Sequence, residues 1–127
     1  MKRFRIVAAC AAFALVALQG CATMDGFLFN TKKLSAYVLS ETIIPASARE
    51  EITFKSGGYT IYAYFVKSPS ATASTPTIFY HHGNAQNIEA YWNRMEYFYK
   101  AGYNVLIYDY RGYGRSEGQS SQEGLES

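Results

Sequence analysis

Apolar and polar positions along this chain change their period in a way that lays out the elements one after another. Ile6 to Leu18 is an unbroken apolar run of thirteen residues. From Thr23 to Ala48 no clean period holds, and the stretch reads as a tether and lead-in with a short helix around Leu34 to Leu39. Ile52 and Phe54 then alternate with Glu51, Thr53 and Lys55, which predicts a half-buried strand over Glu50 to Lys55. After Ser56-Gly57-Gly58, the run Tyr59 to Val66 is rich in aromatics and loses its alternation toward Val66, as a strand moving from edge to interior would. The two runs form a hairpin signal. Lys67 to Pro76, built of Ser, Thr, Ala and Pro, is a surface loop. Ile78, Phe79 and Tyr80 predict a strand covered on both faces, which ends where Gly83 lets the backbone turn away. Asn87 is placed to cap a helix running to Ala101, with Ile88, Tyr91, Trp92, Met95, Phe98 and Tyr99 at three- and four-residue spacing and Gly102 closing it. A stripe at that spacing is read as a face packed on a sheet. Val105 to Tyr108 is the next buried strand, and the Ser120/Glu123 spacing opens a further helix. Strand, turn, helix and strand make a βαβ unit.

The first apolar run is too short to span a bilayer and follows Lys2, Arg3 and Arg5, so residues 1–20 read as a secretory signal. Leu18-Gln19-Gly20-Cys21 resembles a bacterial lipobox. That resemblance implies that Cys21 becomes the first residue of the exported chain and carries acyl chains, palmitate among them. The protein would then be held at the cell envelope by lipid. With Ala22 rather than aspartate after the cysteine, the resemblance points to the outer membrane. An ordinary signal peptide or a short uncleaved anchor are the competing readings. Cys10 leaves with the signal and Cys21 is capped, so no internal disulfide is expected.

Composition narrows the picture further. A chain of 127 residues is at most one domain, and 12 Tyr with 8 Phe call for a sizeable core. The net charge of +2 owes three of its cations to the signal segment, so nothing favours nucleic-acid binding.

Two motifs carry a family resemblance. His82-Gly83-Asn84-Ala85, followed by Asp109-Tyr110-Arg111-Gly112-Tyr113-Gly114-Arg115-Ser116-Glu117-Gly118, resembles the opening part of an α/β-hydrolase, closest to membrane-associated abhydrolase-domain serine hydrolases. It covers roughly Glu50 to Leu125. The implied fold class is α/β, the N-terminal part of an α/β-hydrolase sheet, an antiparallel hairpin followed by βαβ. The implied organisation is a signal at 1–20, a lipidated tether and lead-in at 21–48, and an incomplete hydrolase domain at 49–127. In that family the backbone N–H of Asn84, with Ala85 as the alternative donor, would form one half of an oxyanion hole. Gly83 would let the backbone approach the substrate, His82 would brace the loop, and His81 would turn into packing. Asp109 and Arg111 would fix the second loop through an Asx-type turn and an ion pair. The family implies a small-molecule acyl substrate, no cofactor and no metal.

Ser116 sits in a G-x-S-x-G match, but five loop residues separate the preceding strand from Gly114, and polar residues follow Gly118. A nucleophile elbow needs a strand before and a helix after. A His82-Asp109-Ser116 triad would need a two-barrel β fold, and Gly112-x-Gly114 lacks the helix of a dinucleotide site. The catalytic serine, acid and base are therefore expected beyond residue 127, in a membrane-anchored hydrolase of esters, thioesters or amides. The alternative is a short non-catalytic lipoprotein module that binds or scaffolds.

Overall fold

The computed structural model of the chain describes residues 27–126, so the signal run and Cys21 lie outside the described residues. Residues 27–28 are helical, and after them the described residues form six strands and two α-helices in order: β1 (Asn30–Thr31), a 3-10 turn (Ala46–Ala48), β2 (Arg49–Ser56), β3 (Tyr59–Val66), β4 (Thr77–Tyr80), β5 (Ala85–Gln86), α1 (Ile88–Lys100), β6 (Asn104–Tyr108) and α2 (Gln122–Glu126). Four of the strands form one sheet in the order β2-β3-β6-β4. The hairpin pairs Ile52 with Ala63, β3 runs antiparallel to β6, and β6 runs parallel to β4 with Val105 opposite Ile78. The hairpin, the βαβ unit and the elements on either side of the helix fall where the apolar pattern puts them.

Period-two alternation decides what each face of the sheet meets. Val66, Val105 and Ile107 point to the side covered by α1 and join Ile88, Trp92 and Met95 in the core. Six of the stripe residues of α1 therefore pack inward. The cap is as the sequence implies, with Asn87 accepting the Glu89 N–H at 3.0 Å. At the other end Gly102, at φ +89°, lets its own N–H reach the Tyr99 carbonyl and that of Tyr103 reach Phe98, a Schellman closure.

Several expectations are corrected. β4 is not covered on both faces: Ile78 and Tyr80 are half-buried, while Phe79 is 50% exposed. Among the described residues α1 covers one side of β4, and β4 is an edge strand. No helix forms over Leu34 to Leu39. That stretch spends its polar groups on the rest of the fold instead. Leu34 N–H bonds the Gly114 carbonyl, Val38 N–H bonds the Glu89 carboxylate, and Leu39 and Ile44 are buried in the core. Trp92 Nε1 donates to the Ser40 carbonyl at 3.1 Å, which seats the lead-in along α1. The last helix is capped by Ser121, whose hydroxyl accepts the Gly124 N–H at 3.0 Å, rather than by Ser120. Ser120 packs its backbone against Gly112, where a side chain would meet Ser120 N at 2.4 Å. None of the described helices is long and apolar enough to cross a membrane.

Candidate active site

The carboxyl ends of β4 and β6 bring both sequence motifs to one place. Between them lies a cleft of about 320 Å³ lined by Phe29, His81, His82, Asn84, Tyr108, Tyr110, Tyr113 and Leu125. Its described lining carries no carboxylate, ammonium or guanidinium.

His82 is buried at 4% exposure and aims its Nδ1 at the Gly83 carbonyl, 2.7 Å away. A carbonyl can only accept, so Nδ1 carries the proton. In a trans peptide the carbonyl and the following N–H point in opposite directions. The bond therefore sets the plane of the Gly83–Asn84 peptide and turns the Asn84 N–H away from the imidazole. The next peptide is held as well: the Asn84 carbonyl accepts the Asn30 N–H at 3.1 Å and the Tyr113 hydroxyl at 2.9 Å. Asn84 Nδ2 donates to the Leu28 carbonyl at 2.7 Å. Ala85 sits in β5, paired in parallel with Asn30. Gly83 has no room for a side chain, because a Cβ would meet the Tyr91 hydroxyl at 2.8 Å.

Asp109 anchors the other motif. It is fully buried, its Oδ1 accepts the Ile88 N–H at 2.9 Å, and its Oδ2 accepts the Tyr37 hydroxyl at 2.6 Å. This replaces the expected Asx-type turn: the carboxylate reaches across to the first turn of α1 and to the lead-in. A carboxylate there is favoured by the partial positive charge of a helix start. His82 Nε2 lies 3.0 Å from Oδ1, in contact but outside hydrogen-bond alignment. Tyr37 is pushed up from its ordinary pKa by burial first and by the Asp109 charge second, so it stays a proton donor. Arg111 donates from Nε to the Gly124 carbonyl at 3.2 Å and lies over the Tyr59 ring, tying the loop to α2 and the hairpin.

Ser116 is no nucleophile in this arrangement. It is fully buried, its hydroxyl donates to the Asp109 carbonyl at 2.7 Å and accepts the Tyr62 N–H at 3.0 Å. His81, expected in packing, instead stands exposed on the cleft wall, 3.1 Å from the Tyr108 hydroxyl. Tyr110 and Tyr113 pack their rings around His82, and burial pushes both hydroxyls up to about 12. No cluster of metal-ligating side chains occurs among the described residues.

Sequence reasoning missed the contribution of the lead-in. Residues 28–34 thread between the two motif loops, pairing with Ala85–Gln86 on one side and with Gly114 on the other, and Lys33 Nζ donates to the Ser116 carbonyl at 2.6 Å. The signal was weak, since Phe29 and Asn30 stand in no period.

Comparison with known proteins bears on the fold. Residues 72–124 match the family described as serine aminopeptidase, S33. The uncharacterized protein YfhR of Salmonella typhi is 41% identical over 87 residues, covering 64% of this chain and 28% of that protein. The esterase Pf2001 of Pyrococcus furiosus superposes with a TM-score of 0.57 at 20% identity, over 76% of this chain and 36% of that one. An alpha-beta hydrolase of Vibrio vulnificus gives 0.50 at 23% identity, over 61% and 26%. The chain thus spans about a quarter to a third of the length of these proteins.

Proposed function

We propose that this chain, which belongs to the α/β-hydrolase superfamily, supplies the oxyanion-binding side of the active site in a membrane-anchored serine hydrolase. The observation that carries the reading is the bond from His82 Nδ1 to the Gly83 carbonyl at 2.7 Å. It presets an N–H at the carboxyl end of the sheet, beside a cleft and next to the open edge of β4. A strand added parallel to that edge would end beside Asn84, where a nucleophile elbow belongs.

The serine oxygen of such an elbow attacks the acyl carbonyl of an ester, thioester or amide while the general base takes its proton and becomes the general acid of the next step. The carbonyl oxygen becomes an oxyanion held by the Asn84 N–H and by the N–H after the serine. Collapse expels the leaving group with a proton from the general acid, and water repeats the sequence to free the acid product. Two preorganised donors contribute several kcal/mol because they need not reorient as charge develops. Gly83 serves close approach, and His82, Asp109 and Arg111 hold the loops. The serine, the acid and the base stand outside the described residues. Lipid on Cys21 holds the protein at the cell envelope, in the outer membrane where there are two.

The test is labelling of the natural full-length protein with a fluorophosphonate, followed by mapping of the modified residue and intact mass. Phosphonylation of a serine other than Ser116 is expected, with the mass of acyl chains on Cys21. An unlabelled protein would overturn the enzyme reading in favour of a non-catalytic binding module, and modification of Ser116 would overturn the assignment of roles.

A further inference from the structure

Exposed apolar side chains stand beside the cleft, one of them in its wall and the others in the residues leading to Phe29, which lines it. Phe27 is 88% exposed, Leu28 is 45% exposed, and Leu125, a wall of the cleft, is 48% exposed. Large apolar side chains grouped at a cleft mouth mark a surface that meets something apolar. The position of the anchor says what. Cys21 lies eight residues before Phe29, which lines the cleft, and eight extended residues reach at most about 29 Å. An anchor at Cys21 would therefore stand within that distance of the site, and the first described residues after it are the exposed Phe27 and Leu28. Asn84 Nδ2 bonds the Leu28 carbonyl at 2.7 Å, so this stretch is fixed to the oxyanion loop rather than trailing past it. Lys32, exposed a few residues further along, adds a cation of the sign that phosphate headgroups attract.

We infer that Phe27, Leu28 and Leu125 form a docking rim that lies on the lipid bilayer, so that the cleft opens onto the membrane surface rather than into bulk water. This rests on the anchor at Cys21 but not on the hydrolase activity. The rim and the anchor act as the two attachments that set an orientation, which one tether alone does not.

Site-directed spin labelling of the full-length protein in phosphatidylethanolamine and phosphatidylglycerol vesicles tests it. Nitroxides are placed at F27C, at L125C and, as a control in the loop at the other end of the sheet, at A73C. The expected result is that collision with oxygen rises and collision with a water-soluble nickel chelate falls at positions 27 and 125, while position 73 behaves as in water. Three water-like labels would overturn the rim. Labels at 27 and 125 that are shielded from both reagents, in vesicles and in detergent alike, would also overturn it, because protein would then cover the rim. The protein without added cysteines reads the anchor separately, since a lipidated Cys21 takes no label and a free one does.

Discussion

Asp109 and Ile88 are joined across the motif loops, the Ile88 N–H donating to Asp109 Oδ1 at 2.9 Å, so that the carboxylate ending β6 also holds the first turn of α1. The other oxygen receives the Tyr37 hydroxyl, and His82 stands against the first. One buried anion therefore ties the lead-in to the helix and stands in contact with the histidine of the oxyanion loop.

Removing that anion should cost more than altering it. Asp109→Ala leaves the Ile88 N–H and the Tyr37 hydroxyl buried without their acceptor, and we expect a loss of about 3 to 5 kcal/mol. Asp109→Asn keeps one carbonyl oxygen for Ile88 and offers an amide to Tyr37, whose hydroxyl can turn to accept. A smaller loss is expected. Urea unfolding of the full-length protein measures both, and equal losses would show that charge rather than hydrogen bonding holds the junction.

Gly114 and Gly58 both sit at positive φ, yet substitution should separate them sharply. A Cβ at Gly114 would stand 1.9 Å from Asp109 Oδ2 and 2.8 Å from the Tyr37 hydroxyl, whereas one at Gly58 meets nothing within 4 Å. Gly58→Ala should cost only the conformational strain, about 1 to 2 kcal/mol. Gly114→Ala adds displacement of the buried carboxylate and should cost at least about 4 kcal/mol or prevent folding. Paired thermal melts decide it, and similar values would mean that the Asp109 junction yields easily.

The contrast shows what could be read in advance. The strands and α1 followed from periods of two and about 3.6, because each has an apolar face to bury. Gly83 and Gly102 announced their turns. Asp109 was singled out in the sequence, but its partners were not legible, since Tyr37 lies in a stretch without periodicity and hydrogen bonds across many residues leave no local trace. The lead-in was underrated for the same reason. It is held by backbone bonds to β5 and Gly114, for which any sequence with extended backbone serves. The bare face of β4 was misjudged because composition says that Phe79 prefers burial, not whether a covering layer stands among the described residues.

Alkaline pH should unfold the protein. Burial pushes Tyr64, Tyr110 and Tyr113 up to about 12, and raises Tyr37 further with help from Asp109. Each holds its proton more tightly folded than unfolded. The stability this represents is whole below the ordinary tyrosine pKa of about 10 and is lost as pH rises from there through the folded values. Absorbance at 295 nm and circular dichroism, followed together from pH 8 to about 12.5, should show these tyrosines ionising in step with unfolding. Full ionisation near pH 10 with structure retained would contradict the burial.

Ser116→Ala distinguishes a structural serine from a reactive one. The hydroxyl both donates to the Asp109 carbonyl and accepts the Tyr62 N–H. Its loss leaves two buried backbone groups short of a partner, at about 1 to 3 kcal/mol. The melting temperature should fall while fluorophosphonate labelling persists at temperatures where the variant is folded. Lost labelling with unchanged stability would invert that assignment.

The Asn84 N–H cannot be removed by a side-chain change, but its position can be disturbed through Gly83 and then restored. In Gly83→Ala the new methyl would meet the Tyr91 hydroxyl at 2.8 Å and the adjoining ring carbon at 3.7 Å, so the oxygen is the obstacle. Tyr91 also stacks on His82 at 5.2 Å between centroids, and pushing it away disturbs the imidazole that sets the peptide plane. A donor displaced by about an ångström costs on the order of a hundredfold in rate. We therefore expect Gly83→Ala to lower kcat toward a neutral ester by about that factor, with KM little changed. Tyr91→Phe removes the obstructing oxygen and keeps the stacked ring, so the double variant should recover most of the rate. Recovery identifies the peptide's placement as the lost quantity, whereas an undiminished kcat in Gly83→Ala would mean that the loop peptide takes no part in holding the oxyanion.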